Sequence, residues 1–352
     1  MGNELNLMAE MINERGGIDI KGDKYNLEIV IEDCKSTLDG ATAAATSIAS
    51  KGIKYAVGPA AFFSRGTAPI TNRDQIIDVL GYNNMMPEEI GPAQPYTFAG
   101  LGGSPARTLS GIYFLKEKFP QVKKVCMVSP VGGINPYLEA HMRKHLTENG
   151  FSIVGEWVKF ADDATEWSSY AAKIKANKEA DAVFWMNCIS FHVGNMVKSL
   201  RELGDDRWVF AWSNAPGVDV MKIVGKDNAR KVVTQAFTPL ADDNPADLNE
   251  ITRRSQAKYG KDVPLYFETA NPISVLVEVL KKAQSIDTNV VKATWESMDG
   301  QTVNSLFGPA YISGTQTYGG LKGHGLGHAH PHQILDNATV TNGGWYDSGP
   351  LP

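Results

Sequence analysis

The chain has 352 residues, 43% of them apolar and 21% charged, with a formal net charge of -5. That length suits two domains of ordinary size, and the acidic balance argues against a duplex nucleic acid or an anionic membrane surface as partner. No apolar run approaches the ~20 residues of a membrane-spanning helix, and the opening MGNELNLMAEM carries acidic charge and no cleavage region, so neither signal peptide nor anchor is expected in it.

Leu5, Met8, Ala9 and Ile12 recur at helical spacing and stop at Gly16-Gly17, a helix-end signal. Thereafter the pattern alternates. YNLEIVIED reads as strand, ATAAATSIASKG as helix, IKYAVGP as strand, SRGTAPITNRDQ as helix and IIDVLGYN as strand. Short apolar strands separated by helices predict a parallel sheet covered on both faces. After Gly100-Leu101-Gly102-Gly103 the pattern restarts. The helices TLSGIYFLKEKF, YLEAHMRKHLTENG, EWSSYAAKIKANKEA and VGNMVKSLRELG alternate with the strands KKVCMVSP, SIVGEWVKF, DAVFWMN and RWVFAWS. From about Ala246 the chain reads as helical (DLNEITRRSQAKYG, ISVLVEVLKKAQS), and the Gly-rich tail from Gly308 ends in a hairpin, QILDNATVTNGGWYD. Cys34, Cys126 and Cys188 are too far apart in sequence for a C-x-x-C site and read as small apolar residues.

Several stretches resemble a known family: GNELNLMAEMINERGGI, VIEDCKSTLDGATAAATSIASKGIKYAVGP, the EADAVFW strand with VKSLRELG after it, and the closing GGL…HPHQ…NGGW. Together they resemble the extracytoplasmic solute-binding proteins of ABC transporters of the branched-chain-amino-acid (Leu/Ile/Val-binding) type. The resemblance implies an α/β protein of the type I periplasmic-binding-protein fold: two doubly wound parallel-sheet lobes joined by three hinge crossovers, with solute held in the cleft between them. Carried onto this chain, the crossovers fall near 99–103, 236–239 and 318–322. Lobe one then takes 1–100 plus 238–319, and lobe two 101–237 plus 320–352. Family members open with a strand and a ligand-touching loop before the first helix; this sequence begins within that helix region, so the resemblance leaves both that strand and the export signal outside it. It further implies a periplasmic or extracellular location, with a membrane-associated lipoprotein as a variant. The partners are then a small-molecule solute and a membrane permease, with no nucleic acid, no cofactor and no catalysis. A ligand-sensing receptor of the same fold is the alternative, and a metal-dependent enzyme a more distant one.

By the family's pattern Ala60, Ala61, Phe62, Phe63 and Ser64 line the cleft, where backbone N–H groups and the start of the next helix face an anionic group. Phe62 and Phe63 also fit a plain core, and Arg65 either a carboxylate contact or solvent. Asn83, Asn84 and Met85 follow the next strand, at the edge where open α/β sheets bind ligands; asparagines there equally serve turns. Tyr137, Asn187, Ile189, Trp212 and Asn214 end or follow strands of the second lobe in the same manner, and Tyr266 and Glu268 offer a further wall. The second-lobe position that pairs with an amino acid's ammonium falls within Trp212-Ser213-Asn214 and holds no acid, so an aromatic or apolar carboxylate is expected, its ring against Phe62, Trp185 or Trp212. Glu268 keeps an amino acid as the runner-up. GLGGSPA at 100–106 reads as hinge, since the strand that follows ends in Ser129-Pro130 and brings no acidic residue for a ribose. His324, His328, His330 and His332 alternate in HGLGHAHPH, but neither Cys nor an acid joins them, and no metal is expected there.

Overall fold

The structure is a computed structural model that describes residues 2–58, 63–261, 265 and 267–352. In chain order its elements begin α1 (Gly2–Glu14), β1 (Ile18–Ile20), β2 (Asp23–Tyr25), α2 (Leu38–Ser50), β3 (Tyr55–Val57), α3 (Ser64–Arg73), β4 (Ile77–Leu80) and β5 (Thr97–Ala99). Then come α4 (Gly103–Lys118), β6 (Lys124–Pro130), α5 (Pro136–Glu148), β7 (Ser152–Ile153), β8 (Val158–Phe160), α6 (Ser168–Ala176), β9 (Ala182–Met186), α7 (Ser190–Glu202), β10 (Trp208–Trp212), α8 (Gly217–Val224) and β11 (Val232–Thr234). The chain closes with α9 (Ala246–Tyr259), α10 (Asn271–Ala283), α11 (Thr288–Ser297), β12 (Thr302–Ser305), β13 (Gly308–Ser313), β14 (Gly325–Asp336) and β15 (Thr339–Asp347).

Two compact units divide it. Unit 1 takes residues up to Ala106, Asn244–Ala329 and Gly349–Pro352; unit 2 takes Arg107–Asp243 and His330–Ser348. The chain therefore passes between units at 106/107, 243/244 and 329/330, and returns at 348/349 with its last four residues. The segment Tyr318 to Lys322, where the third crossover was expected, lies within unit 1.

In unit 1, β3, β4 and β5 form a parallel sheet in that order. Thr37 starts α2 by accepting the Gly40 N–H at 2.9 Å, an ordinary N-cap. Phe98 stacks between Trp295 and His324, with ring centroids 4.5 and 4.2 Å away. The run YNLEIVIED was expected to be a strand. Only Tyr25 belongs to one, in the β1–β2 hairpin. A strand requires a ladder partner, and residues 26–34 have none among the described residues; the Asn13 side chain instead brackets Leu27, donating to its carbonyl at 2.9 Å and accepting its N–H at 2.7 Å.

In unit 2, β6, β9, β10 and β11 run parallel side by side, β7 and β8 both pair with β6, and β14 joins β11 antiparallel. The strand expected over SIVGEWVKF is divided into β7 and β8. AVFWM in β9 is buried at every residue, as a sheet covered on both faces requires. Val183, Trp185, Val209, Ala211, Val193, Met196 and Val220 form the core beneath the helices, with the free Cys126 and Cys188 among them. The hairpin β14–β15 turns at Asn337-Ala338, with φ of 47° and 56°. Two positive φ values in a two-residue loop match the twist of the strands they join.

Candidate ligand-binding site

Because β3, β4 and β5 are parallel, the loops that follow them share one edge of unit 1, the edge where open α/β sheets bind ligands. Gly58 (φ 92°) ends the first strand; Ala60, Ala61 and Phe62 lie outside the described residues. Phe63 is half-buried and offers no side-chain cap to α3, whose first residue, Ser64, is buried while Arg65 is exposed.

After β4 the structure places Asn83 and Asn84 inside the protein. The Asn83 amide oxygen accepts the Tyr318 hydroxyl at 2.7 Å, and the Asn84 oxygen accepts the Ser104 hydroxyl at 2.6 Å. Ser104 also pairs with Tyr82 (2.9 Å) and donates its backbone N–H to the Asn83 carbonyl (2.9 Å). These asparagines brace the turn against the start of α4. A Cβ on Gly103 (φ 60°) would lie 2.5 Å from the Asn83 carbonyl, and one on Gly102 would lie 2.7 Å from that of Leu326. The glycines of GLGGSPA thus serve close packing. Met85 adopts φ 65° in a turn held by Glu89, which accepts the N–H groups of Asn84 (2.7 Å) and Met86 (3.2 Å). Burial raises the Glu89 carboxyl to about 7, opposed by those N–H groups and by Arg65. Glu268, half-buried in a short 3-10 turn, sits with its carbonyl 3.7 Å from a Cβ built on Gly81, at the same end of β4; Tyr266 lies outside the described residues.

In unit 2 the same edge is formed by the ends of β6, β8, β9 and β10. Asn135 caps α5 by accepting the N–H groups of Tyr137 and Leu138, both at 3.0 Å, and thereby sets Tyr137 at the exposed start of the helix. Asn187 takes φ 55° and donates to the Gly133 carbonyl, tying two of the edge loops together. Ile189 is exposed, and the helix it precedes, α7, has no side-chain cap. Ser213 donates to the Cys188 carbonyl, and Asn214 is half-buried beside it.

Trp212 and Trp185, expected as walls for a ligand ring, are placed otherwise. Both are fully buried. Trp212 packs edge-on to Phe184 (5.0 Å) and His332 (5.6 Å) and leaves no room for a Cβ on Gly111. Alternation along a strand determines which face a side chain takes, and here it sends both indoles into the layers that cover the sheet. Three residues not expected from the sequence join the edges: Glu89 in unit 1, and Phe191 and Asp162 in unit 2. Val131 and Phe191 are exposed apolar residues. Asp162 follows β8 and accepts the Gly132 N–H at 2.9 Å. The division of SIVGEWVKF into β7 and β8, unread in the sequence, brings the end of β8 to this edge.

The tail histidines are core side chains. His324 contacts the Thr97 carbonyl through Nδ1 (2.8 Å) and Glu296 through Nε2 (3.3 Å). His328 reaches the Ala329 carbonyl at 2.7 Å, and His332 lies flat on Phe114 with centroids 4.3 Å apart. Among the described residues no group of three or more His, Cys, Asp or Glu could hold a metal ion, and no helix is long and apolar enough to cross a membrane.

Solved structures share this architecture. A leucine-binding protein from Thermotoga maritima superposes with a TM-score of 0.75 at 16% identity, covering 98% of this chain and 94% of that one. A branched-chain amino acid transporter substrate-binding protein from Streptococcus pneumoniae, in complex with isoleucine, gives 0.73 at 15% identity, covering 98% and 93%. An ABC transporter solute-binding protein from R. palustris, in complex with benzoate, gives 0.68 at 16% identity, covering 100% and 91%. No curated protein matches the chain. The model of one family, described as periplasmic binding protein, matches residues 3–319. With a mostly parallel α/β sheet and a family match over nine-tenths of its length, the chain belongs to the periplasmic binding protein family, whose members bind solutes and are not enzymes.

Proposed function

We propose that this protein is an extracytoplasmic solute-binding protein that captures a small carboxylate, an aromatic or apolar acid, and delivers it to the permease of an ABC transporter. The observation that carries the reading is the pairing, at one sheet edge of unit 2, of the uncapped α7 start with the exposed apolar side chains Val131, Tyr137, Ile189 and Phe191. A helix N-terminus takes the carboxylate and the apolar groups take the body of the acid. Phe62, Phe63 and Ser64 after β3, with Asn214 and Glu268, complete the proposed contacts. Benzoate in one similar structure supports this class of solute.

A free amino acid is the second reading. Asp162 stands at the unit 2 edge and can meet an ammonium, which without an anionic partner costs several kcal/mol to bury. Isoleucine in another similar structure favours it. Calorimetric titration with benzoate, phenylacetate, leucine and phenylalanine separates the two. Binding of the deaminated acids, weakened by Tyr137→Ala or Phe62→Ala, is the expected result. Tight leucine binding with no response to either acid sinks the first reading, and its loss in Asp162→Asn establishes the second.

A further inference from the structure

Of the seven histidines, only His141 and His145 stand four residues apart on one helix. Side chains at that spacing share a face of α5, and these two rings meet edge to face with their centroids 4.4 Å apart. Both are mostly covered, His141 being 7% and His145 9% exposed. Glu148, one turn further along the same face and exposed, holds its Oε2 3.2 Å from His145 Nδ1. A carboxylate accepts, so Nδ1 carries the proton and the lone pair of the neutral ring sits on Nε2. The backbone of this turn is fixed as well: the Asn149 side chain donates to the His145 carbonyl at 2.9 Å. Arg143, between the two histidines in sequence, belongs to the opposite side of the helix, where Glu139 pairs with it at 2.8 Å and its guanidinium lies 5.1 Å from the centre of the Trp157 ring.

We propose that His141 and His145 chelate one divalent transition-metal ion, with copper(II) preferred and solvent supplying the remaining ligands. Two imidazoles bound through nitrogen at ~2.0 Å place their ring centroids about 4.5 Å apart when they meet the ion at a right angle, and about 5.1 Å apart at the tetrahedral angle. The separation of 4.4 Å fits the right angle, which belongs to tetragonal copper(II) and nickel(II), and copper(II) is the tighter binder of the two. Glu148 acts as a positioning residue: by accepting Nδ1–H it holds the His145 ring in the tautomer that ligates and raises the basicity of Nε2. The chain supplies two ligands, so water must complete the shell, and the exposed Glu148 shows that this face meets solvent. One and two turns along α5 from Tyr137, the pair is separate from the proposed solute contacts and does not rest on them.

The test is titration of the full chain with copper(II) against glycine as a competing chelator, followed by electron paramagnetic resonance. One ion per chain is expected, with hyperfine splitting from two imidazole nitrogens and with weaker binding of nickel(II) and zinc(II). His141→Phe and His145→Phe keep a ring in each place and remove its nitrogens; each should lower the copper affinity by about tenfold or more and abolish the two-nitrogen spectrum. Glu148→Gln should weaken binding by about tenfold and keep both nitrogens, a combination that loss of helix packing would not give. Affinity and spectrum unchanged in both phenylalanine variants put the ion elsewhere on the chain and overturn the proposal. A wild type that binds no stoichiometric copper overturns it too, and zinc(II) bound more tightly than copper(II) overturns the geometric argument for copper. Should the variants not fold, oxidation of the wild type by bound copper with ascorbate and peroxide, mapped by mass spectrometry, decides: marks at His141 and His145 support the site, and marks confined to other residues refute it.

Discussion

Replacing His332 by Phe removes a titrating group from the core of unit 2 and should change the pH dependence of its stability in a calculable way. The imidazole is fully buried and lies flat on Phe114, 4.3 Å between centroids, with Trp212 and Tyr346 edge-on at 5.6 and 5.5 Å. Burial depresses its pKa from 6.5 to about 3, the nearby Arg107 adding to the effect. A base whose folded pKa is depressed contributes stability that is present above the unfolded pKa and lost as the pH falls toward the folded one. At pH 5, one and a half units below the unfolded value, the protonated unfolded chain is favoured by about 2 kcal/mol at ~1.4 kcal/mol per unit. Phenylalanine keeps the stack and gives up the 3.4 Å contact with Gln235, which still donates to the Arg107 carbonyl at 2.9 Å. Urea unfolding of both proteins at pH 7.5 and pH 5 is the assay, followed by tryptophan fluorescence, which Trp157, Trp167, Trp185, Trp208 and Trp212 weight toward unit 2. His332→Phe should gain about 2 kcal/mol on the wild type between the two pH values. His145, His192 and His324 also titrate below their usual range, but they cancel in the comparison. A difference between the proteins that does not change with pH would refute the argument.

Asp78 works with the opposite sign. Burial raises its folded pKa to about 7, so its contribution is whole below about pH 4 and is lost as the pH climbs through 7; Asp78→Asn should be more stable than wild type at pH 8 in thermal unfolding, an advantage absent at pH 4. Gly111→Ala should overpack the Trp212 ring and cost unit 2 about 1–3 kcal/mol in the same fluorescence-monitored unfolding. Asn135→Ala removes the acceptor for two N–H groups at the start of α5, for about 1 kcal/mol by denaturant midpoint.

What could be read in the sequence depended on how much of the determining physics is local. VCMVS, AVFWM and WVFAW are apolar throughout because their sheet is covered on both faces, so β6, β9 and β10 were legible. Three-residue strands such as β5 and β11 are too short to show a period, and α8 hides behind Pro216-Gly217, which reads as a turn. YNLEIVIED has the composition of a strand, but a ladder is a property of two segments, and composition does not reveal a missing partner. The same limit governs the site. Tyr137 and Ile189 follow strands and are exposed. Trp212 ends a strand too, yet alternation turns it into a layer where Phe114, Phe184 and His332 join Phe210 around it, and those three come from segments far apart in sequence. Glu89 gave no signal at all, since two adjacent glutamates in MMPEEIGP look solvated until the fold closes over the second.

The division of the chain into interleaved stretches bears on the order in which the molecule can be made. Unit 2 cannot finish its sheet from Arg107–Asp243 alone, because the partner of β11 is β14, about a hundred residues downstream. Unit 1 in turn waits for α9 to β13, and its last hydrogen bonds include those that Ser313 and Gly314 make with Leu351 near the chain end. Pairings so distant in sequence make folding slow. A nascent chain interrupted near Asp243 exposes the β11 edge, Val232–Thr234, as an open template for a foreign strand. Neither unit is therefore closed until β14 and the stretch around Leu351 have been made, and refolding from denaturant of a chain cut before β14 should leave the β11 edge unpaired.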